Sequence, residues 1–281
     1  MGVAHARLRG RRKYARSCGG AATGVTARFA GLDTGAAIAS ETGEPDLVGS
    51  DRRWPNLRPR PAATLMILDR GGAEPQVLMG RRHWRHAFMP GKFVFPGGRI
   101  EAADRRMMVA NGLAEAIEAK LAKGVVRPGL SRPRALALAA IRETFEETGL
   151  LIGTKASGIP GKIPPGIWTE FVGHGVVPSL EGLHFVARAI TPPRRPRRFD
   201  AAFFAVDANS IAHRIEGVIG PEAELVELAW LPLSQAKRLD LPTITMVVLE
   251  ELEARIAQGM EHELPVPFFA ERHRRWYRTE L

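Results

Sequence analysis

Six short segments of the chain combine apolar, β-branched and aromatic residues in the pattern of strands. They predict strands at residues 62–68, 76–82, 93–95, 183–190, 199–206 and 225–231. Residues 69–75, which separate the first two segments, contain Gly71, Gly72 and Pro75 and form a strong turn signal. The first two segments are therefore interpreted as consecutive strands joined by a turn.

Longer stretches carry apolar residues at helical spacing. This spacing predicts a helix that begins near Met107 and stops at Gly124, a helix that contains the run 135–141, and helices at 234–239 and 243–256. Residues 125–133 are interpreted as a loop. Strands, a helix, more strands and then a final helix along the chain predict an α+β fold built of packed layers.

The most specific chemical feature follows the apolar run 135–141. Glu143, Glu146 and Glu147 stand at positions i, i+3 and i+4, so on a helix their carboxylates share one face. Like charges at this spacing repel each other, and a hard divalent cation such as Mg²⁺ would relieve the repulsion. A solvated acidic helix face is the plainer interpretation. The glycine-rich turn at Gly97 and Gly98, upstream of this helix, favours the cation site.

Together these two pieces resemble the Nudix hydrolase box, G-x5-E-x7-R-E-U-x-E-E-x-G-U with U aliphatic. The helical half matches at Arg142, Glu143, Glu146, Glu147, Gly149 and Leu150. Two departures stand beside the match. Thr144 replaces the aliphatic residue, and the acid that follows Gly98 is Asp104, after which about 30 extra residues precede Arg142.

The extra residues narrow the resemblance to one branch of the family. The chain is most similar, over residues 62–251, to Nudix hydrolases with an interrupted box, typified by the mammalian peroxisomal coenzyme A diphosphatase. A more widespread coenzyme A motif, R-x3-G-x3-F-P-G-G, fits at Gly91 and at 95–98 but has Ala87 in place of its arginine. The resemblance implies an α/β/α sandwich with a mixed sheet and a helical insertion, residues 105–133, inside the Nudix box.

The resemblance also implies a metal site for Mg²⁺ or Mn²⁺. Carried over residue by residue, Glu143 and Glu147 are the expected metal ligands. Glu146 is expected to be a further ligand or to orient water at the metal, which makes Glu146 and Glu147 the catalytic carboxylates. Gly98 or Gly97 is expected to offer a backbone carbonyl, because a glycine permits close approach.

Other box residues are expected to support this site. Arg142 is expected to pair with a box carboxylate and hold its rotamer rather than to contact substrate. Asp104 supports the box in an uninterrupted sequence, and the insertion leaves open whether it does so here. Gly149 closes the motif.

Two further sets of residues have roles that the box does not determine. The general base varies within the family, and its candidates are Glu222, Glu224 and Glu227. The candidate phosphate contacts are Arg81 and Arg82, which end a predicted strand, and Arg197 and Arg198. The last two fall in a proline-rich stretch, and a solvated loop that binds no phosphate is an equally good interpretation of that stretch.

The expected reaction is metal-dependent hydrolysis of the pyrophosphate bond of a small nucleoside diphosphate derivative. The branch implies coenzyme A or acyl-coenzyme A, giving 3′,5′-ADP and a phosphopantetheine product. ADP-ribose or NADH is the alternative substrate class. A catalytically idle nucleotide- or RNA-binding module is the alternative of another kind, although such a module is expected to lose box carboxylates. A homodimer is expected only by analogy with the family.

Composition and charge indicate where the domain begins and ends rather than which reaction it catalyses. Of the net charge of +10, about seven charges fall in residues 1–31, which contain no acid, so a nucleic-acid-binding body is not required. We interpret residues 1–58 as a basic arm and linker, 59–260 as the hydrolase domain and 261–281 as a frayed basic tail. The arm is open to three interpretations: a solvated tail, an organelle import signal or a polyanion-binding segment.

The single cysteine, Cys18, excludes an internal disulfide and a cysteine-based zinc site. No run of 18 apolar residues occurs, so no membrane span is expected. These features favour a cytoplasmic protein, with import through the basic arm as the alternative.

Overall fold

The computed structural model describes residues 37–38, 54–85, 90–125, 129, 131–156, 158, 161–273 and 275–281. Numbered in chain order, the strands are β1 (Ala37–Ile38), β2 (Arg60–Asp69), β3 (Gln76–Arg82), β4 (Phe93–Val94), β5 (Gly97–Arg99), β6 (Leu150–Lys155), β7 (Val176–Pro178), β8 (His184–Ile190), β9 (Phe199–Asp207), β10 (Ile211–Arg214), β11 (Leu225–Pro232), β12 (Pro267–Arg272) and β13 (Arg275–Glu280). The helices are α1 (Glu115–Ala122), α2 (Arg132–Thr148), α3 (Ile167–Gly173), α4 (Leu233–Ala236) and α5 (Thr243–Ala257), with a 3₁₀ turn at Ala208–Ser210.

The large sheet is mixed. Its strands follow the order β1-β13-β12-β8-β9-β2-β3-β11, with β4 paired to β3 and β5 paired to β2. The pairs β2–β9 and β12–β8 are parallel, and the other pairs are antiparallel. A smaller antiparallel sheet has the order β10-β6-β7.

Both faces of the central strand β2 are covered. Ala63, Leu65 and Ile67 belong to the core beneath α2, while the alternate residues Met66 and Leu68 are also buried. Residues that alternate along a strand point to opposite faces, so both faces of this strand are covered, as in the central layer of a sandwich. The predicted α+β sandwich with a mixed sheet is confirmed.

Helix α2 carries the three glutamates, and its ends are defined by local chemistry. Pro133 stands in its first turn, where the missing N–H matters least, and a run of alanine and leucine follows. The helix ends at Gly149, whose φ of 74° is left-handed and whose N–H donates to the Phe145 carbonyl at 2.9 Å. A Cβ on Gly149 would lie 2.5 Å from the Ile215 carbonyl oxygen, so this position requires glycine for two reasons.

The insertion contains a shorter helix than the spacing predicted. Helix α1 begins at Glu115, and Met107 lies in the preceding loop, fully buried, with its carbonyl accepting a hydrogen bond from Arg134 of α2. Ile117 and Leu121 of α1 are buried in the same core cluster as Leu136. Met107 and helix α1 of the inserted segment are therefore part of the hydrophobic core.

The C-terminal residues differ from the frayed tail that the sequence suggested. Strands β12 and β13 form an antiparallel hairpin that joins the large sheet through β8. Phe268 and Phe269 are buried, and the Arg188 guanidinium lies 4.8 Å from the centre of the Phe268 ring. The basic residues of this stretch hid its strand character, because only part of each strand faces the core.

The predicted basic arm, residues 1–58, lies outside the described residues except for 37–38 and 54–58. The described part of it includes β1, which pairs with β13 through Ala37↔Tyr277 and Ile38↔Trp276. None of the helices in the described ranges has the length and apolar content needed to cross a bilayer.

Candidate active site

Arg142 lies at the centre of the site, with only 1% of its surface exposed. Its Nε donates to Asp104 Oδ1 at 3.0 Å, and one terminal nitrogen donates to the Arg99 carbonyl at 2.8 Å. The other terminal nitrogen lies 2.9 Å from Glu143 Oε1 and 3.1 Å from Glu146 Oε2. Burial lowers the pKa of Arg142, but the hydrogen bond to Asp104 and the charges of Glu143, Asp104 and Glu146 raise it above its ordinary value.

Asp104 performs the supporting contact that the insertion had left open. Its side chain is completely buried and accepts hydrogen bonds from the Glu101 N–H at 2.7 Å and from Trp168 Nε1 at 3.1 Å, besides those from Arg142. A buried carboxylate requires such partners, because an unpaired charge in the interior is costly. The extra residues therefore leave Asp104 and Arg142 in direct contact.

Trp168 of α3 was missed as a residue of the site. It was given no role in the site from the sequence alone, since it lies 20 residues beyond the end of α2. The structure places its indole N–H on Asp104 and its ring 5.3 Å from the Phe171 ring. No sequence signal would have found this hydrogen bond, which depends on how α3 packs against α2 in the folded chain.

We expect Trp168→Phe to lower kcat about tenfold with little change in substrate KM, since indirect supports of metal ligands typically contribute ten- to a hundredfold. Asp104 would keep its charge but lose one donor, so Arg142 would hold Glu143 and Glu146 less firmly. Steady-state kinetics as a function of Mg²⁺ concentration provide the measurement, and the half-saturating concentration should rise.

The matched control is Phe171→Leu, which removes a neighbouring buried ring without touching Asp104. It should lower the melting temperature while leaving the Mg²⁺ dependence unchanged. An unaltered Mg²⁺ dependence in Trp168→Phe would contradict a positioning role.

Glu143 lies against the glycine turn. A Cβ built on Gly98 would fall 2.1 Å from Glu143 Oε1 and 2.2 Å from its Cδ, so only glycine admits the carboxylate in this position. Gly97 is constrained differently: its Cβ would lie 2.6 Å from the Ala63 carbonyl oxygen and 2.8 Å from Thr64 Cα. One glycine thus makes room for a side chain, and the other allows β5 to pair closely with β2.

Glu147 is the most perturbed carboxyl group of the site. Burial, together with repulsion from Glu224 and Glu143, raises its pKa to about 9. Burial also raises the pKa of Glu143 and of Glu146, although Arg142 opposes the rise in both. The helix face therefore concentrates three carboxyl groups, and the positive charge around them is too small for all three to ionise together.

The three candidate bases occupy different surroundings. Glu222 pairs with Arg85 at 3.0 Å on the exposed surface, and Glu227 pairs with Arg81 at 2.8 Å. Glu224 pairs with Arg82 at 2.8 Å and is close enough to Glu147 for their charges to interact. Glu224 is therefore the candidate that the fold brings to the carboxylate helix.

The four arginines that were candidate phosphate contacts also lie in different surroundings. Arg82 lies beside Glu224 and lines a cavity next to Gly97 and Gly98, whereas Arg81 is committed to Glu227. Arg198 donates to the Thr191 and Leu57 carbonyls and to Asn56 Oδ1, so it holds backbone in place. Arg197 is exposed.

The donor set fits a divalent cation in charge and atom type. Among the described residues no three His, Cys, Asp or Glu side chains already form a closed metal cluster. Glu143 and Glu146 turn to Arg142, as expected of carboxylates that repel one another. The space that Gly98 provides for the Glu143 carboxylate, and the excess of acidic groups around Glu147, match the oxygen-rich surroundings that Mg²⁺ and Mn²⁺ prefer.

No protein-family model and no curated protein matches the sequence significantly. Among solved structures, a NUDIX hydrolase from Alicyclobacillus acidocaldarius is 27% identical, with an alignment that covers 72% of this chain and 96% of that one and a TM-score of 0.52. The NUDIX domain of Shewanella oneidensis NrtR complexed with ADP ribose is 12% identical over 71% and 90% of the two chains, with a TM-score of 0.40. RenU, a Nudix hydrolase from M. Smegmatis, is 16% identical over 72% and 88%, with a TM-score of 0.37.

The Alicyclobacillus structure shares its fold with this chain, and about a quarter of the aligned residues are identical. This chain has the Nudix hydrolase fold. With the acidic face of α2 intact, the enzyme class it indicates is a Nudix pyrophosphohydrolase.

Proposed function

We propose that this Nudix-fold chain hydrolyses the pyrophosphate bond of coenzyme A or acyl-coenzyme A, with Mg²⁺ or Mn²⁺ as cofactor. The main support for this reaction is the contact between Asp104 and Arg142. Asp104 comes before the insertion and Arg142 after it, and Arg142 also contacts Glu143 and Glu146. Glu143, Glu147 and Glu146, with the backbone of Gly98, would hold the cation. When bound, a divalent cation acidifies water and neutralises charge on phosphoryl oxygens.

Arg142, Arg82 and Glu224 each have a separate task in the proposed reaction. Arg142 holds Glu143 and Glu146 in one orientation, so that they need not reorganise when the substrate binds. Arg82 faces the cavity beside the box and donates to a phosphate oxygen of the substrate. Glu224 accepts the proton of the attacking water, since its pairing with Arg82 keeps its carboxylate beside Glu147.

The substrate rests on the resemblance to the interrupted-box branch. Coenzyme A contains a pyrophosphate between its 3′-phosphorylated adenosine and its pantetheine, and cleavage by water gives 3′,5′-ADP and 4′-phosphopantetheine. Arg197, which is exposed, remains the candidate for the 3′-phosphate, because Arg198 is engaged with backbone carbonyls. ADP-ribose and NADH are the alternatives that keep the reaction.

The test is mass-spectrometric product analysis after the purified chain is incubated with coenzyme A and Mg²⁺, in parallel with ADP-ribose and NADH. We expect 3′,5′-ADP and 4′-phosphopantetheine, formed faster than the products of the other two substrates. Cleavage of ADP-ribose or NADH alone would overturn the coenzyme A assignment but not the reaction. No cleavage of any of the three would favour the idle nucleotide-binding module.

Carboxamide variants of the three acidic candidates identify the base in the same assay. We expect Glu224→Gln to lower kcat about a hundredfold or more, within the range for general-base catalysis, whereas Glu222→Gln and Glu227→Gln stay within a few fold of the parent. Equal losses in all three would indicate a surface effect rather than a base.

A further inference from the structure

A cavity of about 220 Å³ opens beside the glycine turn at Gly97 and Gly98. Its floor is shared with the site, because Gly98, which contacts Glu143, and Arg82, which pairs with Glu224, both line it. The remaining wall comes from strands β2, β4, β8, β9 and β13 and from the start of α5. A group that enters this cavity therefore lies next to Gly98 and Arg82 of the proposed site.

The lining determines what kind of group fits. Its side chains are mainly apolar or aromatic, with the hydroxyl-bearing residues Thr64, Thr191 and Thr245, and its only charged residue among those described is Arg82. A mostly apolar pocket with a few polar groups is typical of small-molecule sites. Among the lining residues that the structure describes there is no second cation, so the cavity suits an uncharged group attached to the pyrophosphate.

Trp276 of β13 is the largest aromatic side chain in this wall, and it is only partly buried. It is contributed by the C-terminal hairpin, far in sequence from the box. Its strand is held on both sides, since Trp276 stands opposite Glu271 of β12 and Ile38 of β1. The indole ring is thus carried by a paired strand rather than by a loop, as a rigid binding surface requires.

We propose that this cavity binds the nucleobase of the substrate, stacked on the indole ring of Trp276. The inference rests on the proposed function, since it assigns the adenine half of the substrate to this cavity and leaves the pantetheine half on the other side of the carboxylates. A flat, uncharged and polarisable ring suits an aromatic wall with hydroxyl groups at its edge. Trp276 would then determine specificity for substrates that carry a base.

The test compares binding of AMP and of ribose 5-phosphate by titration calorimetry in Mg²⁺. The two ligands differ only in the base, and neither has a pyrophosphate bond, so the result does not depend on turnover. In the unmodified chain AMP should bind about tenfold more tightly or better, the range that base stacking on an aromatic side chain provides. In Trp276→Leu this ratio should fall to about one, while Trp276→Phe should preserve most of it.

Trp230→Leu is the matched control, because Trp230 is a partly exposed tryptophan of β11 outside the cavity lining. It should leave the ratio unchanged. A ratio that survives in Trp276→Leu would overturn the proposal, and so would a loss of 4′-phosphopantetheine binding in place of AMP binding.

Because Trp276→Leu can disturb the hairpin, the melting temperature of this variant is measured as well. Nuclear Overhauser contacts between the Trp276 indole and AMP in the unmodified chain provide an independent readout. Contacts to the methyl groups of 4′-phosphopantetheine instead would also overturn it.

The two proposals fail separately. If the chain cleaves no pyrophosphate but the AMP ratio depends on Trp276, the base site stands and the reaction is wrong. If coenzyme A is cleaved but the ratio is indifferent to Trp276, the reaction stands and the base lies elsewhere.

Discussion

Replacing Glu147 by glutamine will lower hydrolysis more than a hundredfold, beyond the ten- to hundredfold loss typical of indirect supports of a metal site. Glutamine keeps the shape of the side chain but removes the negative charge that would hold the cation. Product formation at saturating substrate and Mg²⁺ is the measurement. The exposed Glu118→Gln on α1 is the control and should retain full activity.

The same variant should be more stable than the parent in the absence of metal. The pKa of Glu147 is raised from its ordinary 4.5 to about 9, so the folded protein holds a proton that the unfolded chain releases. Its contribution therefore weakens stability progressively as the pH rises from 4.5 towards 9. Glutamine does not titrate, so thermal unfolding at pH 8 with a chelator should show a higher melting temperature for Glu147→Gln.

The two measurements discriminate between a functional and a structural carboxylate. Activity within tenfold of the parent would contradict the assignment of Glu147 as a metal ligand. A variant that is both inactive and less stable without metal would instead indicate that Glu147 supports the fold.

The adjacent glycines should respond differently to the same added methyl group. In Gly98→Ala the new Cβ meets the end of the flexible Glu143 side chain, which can move away. Stability should therefore change little, whereas activity should fall by about ten- to a hundredfold as Glu143 leaves its position. In Gly97→Ala the Cβ meets the backbone of Ala63 and Thr64, which cannot move without separating β5 from β2.

Gly97→Ala should therefore lower the free energy of unfolding by about 1–3 kcal/mol, as overpacking does. Denaturant unfolding and turnover measured on both variants provide the comparison. Gly112→Ala is the control, because a Cβ there meets nothing within 4 Å. If Gly98→Ala keeps full activity, Glu143 is not held against the turn in the working enzyme.

Local sequence patterns were sufficient for the central elements. Strand β3 and helix α5 lie close to their predicted bounds, because strong periodicity and clear turn residues mark them. The start of α1 was predicted too early in the chain. Met107 is buried although it lies in a loop, so its apolar side chain fits the helical spacing but its backbone is not helical. The hairpin β12–β13 was interpreted as a tail, because its arginines are typical of a solvated segment.

The sequence by itself determined the acidic face of α2, because the spacing of Glu143, Glu146 and Glu147 and the stop at Gly149 are local properties of a helix. Only the tertiary structure decided which distant groups join that face. Asp104 reaches Arg142 across the insertion, Trp168 fixes Asp104, Glu224 rather than Glu222 or Glu227 comes near Glu147, and Trp276 closes the cavity. Such contacts join residues far apart in the chain, and their positions depend on how the core packs rather than on any local pattern.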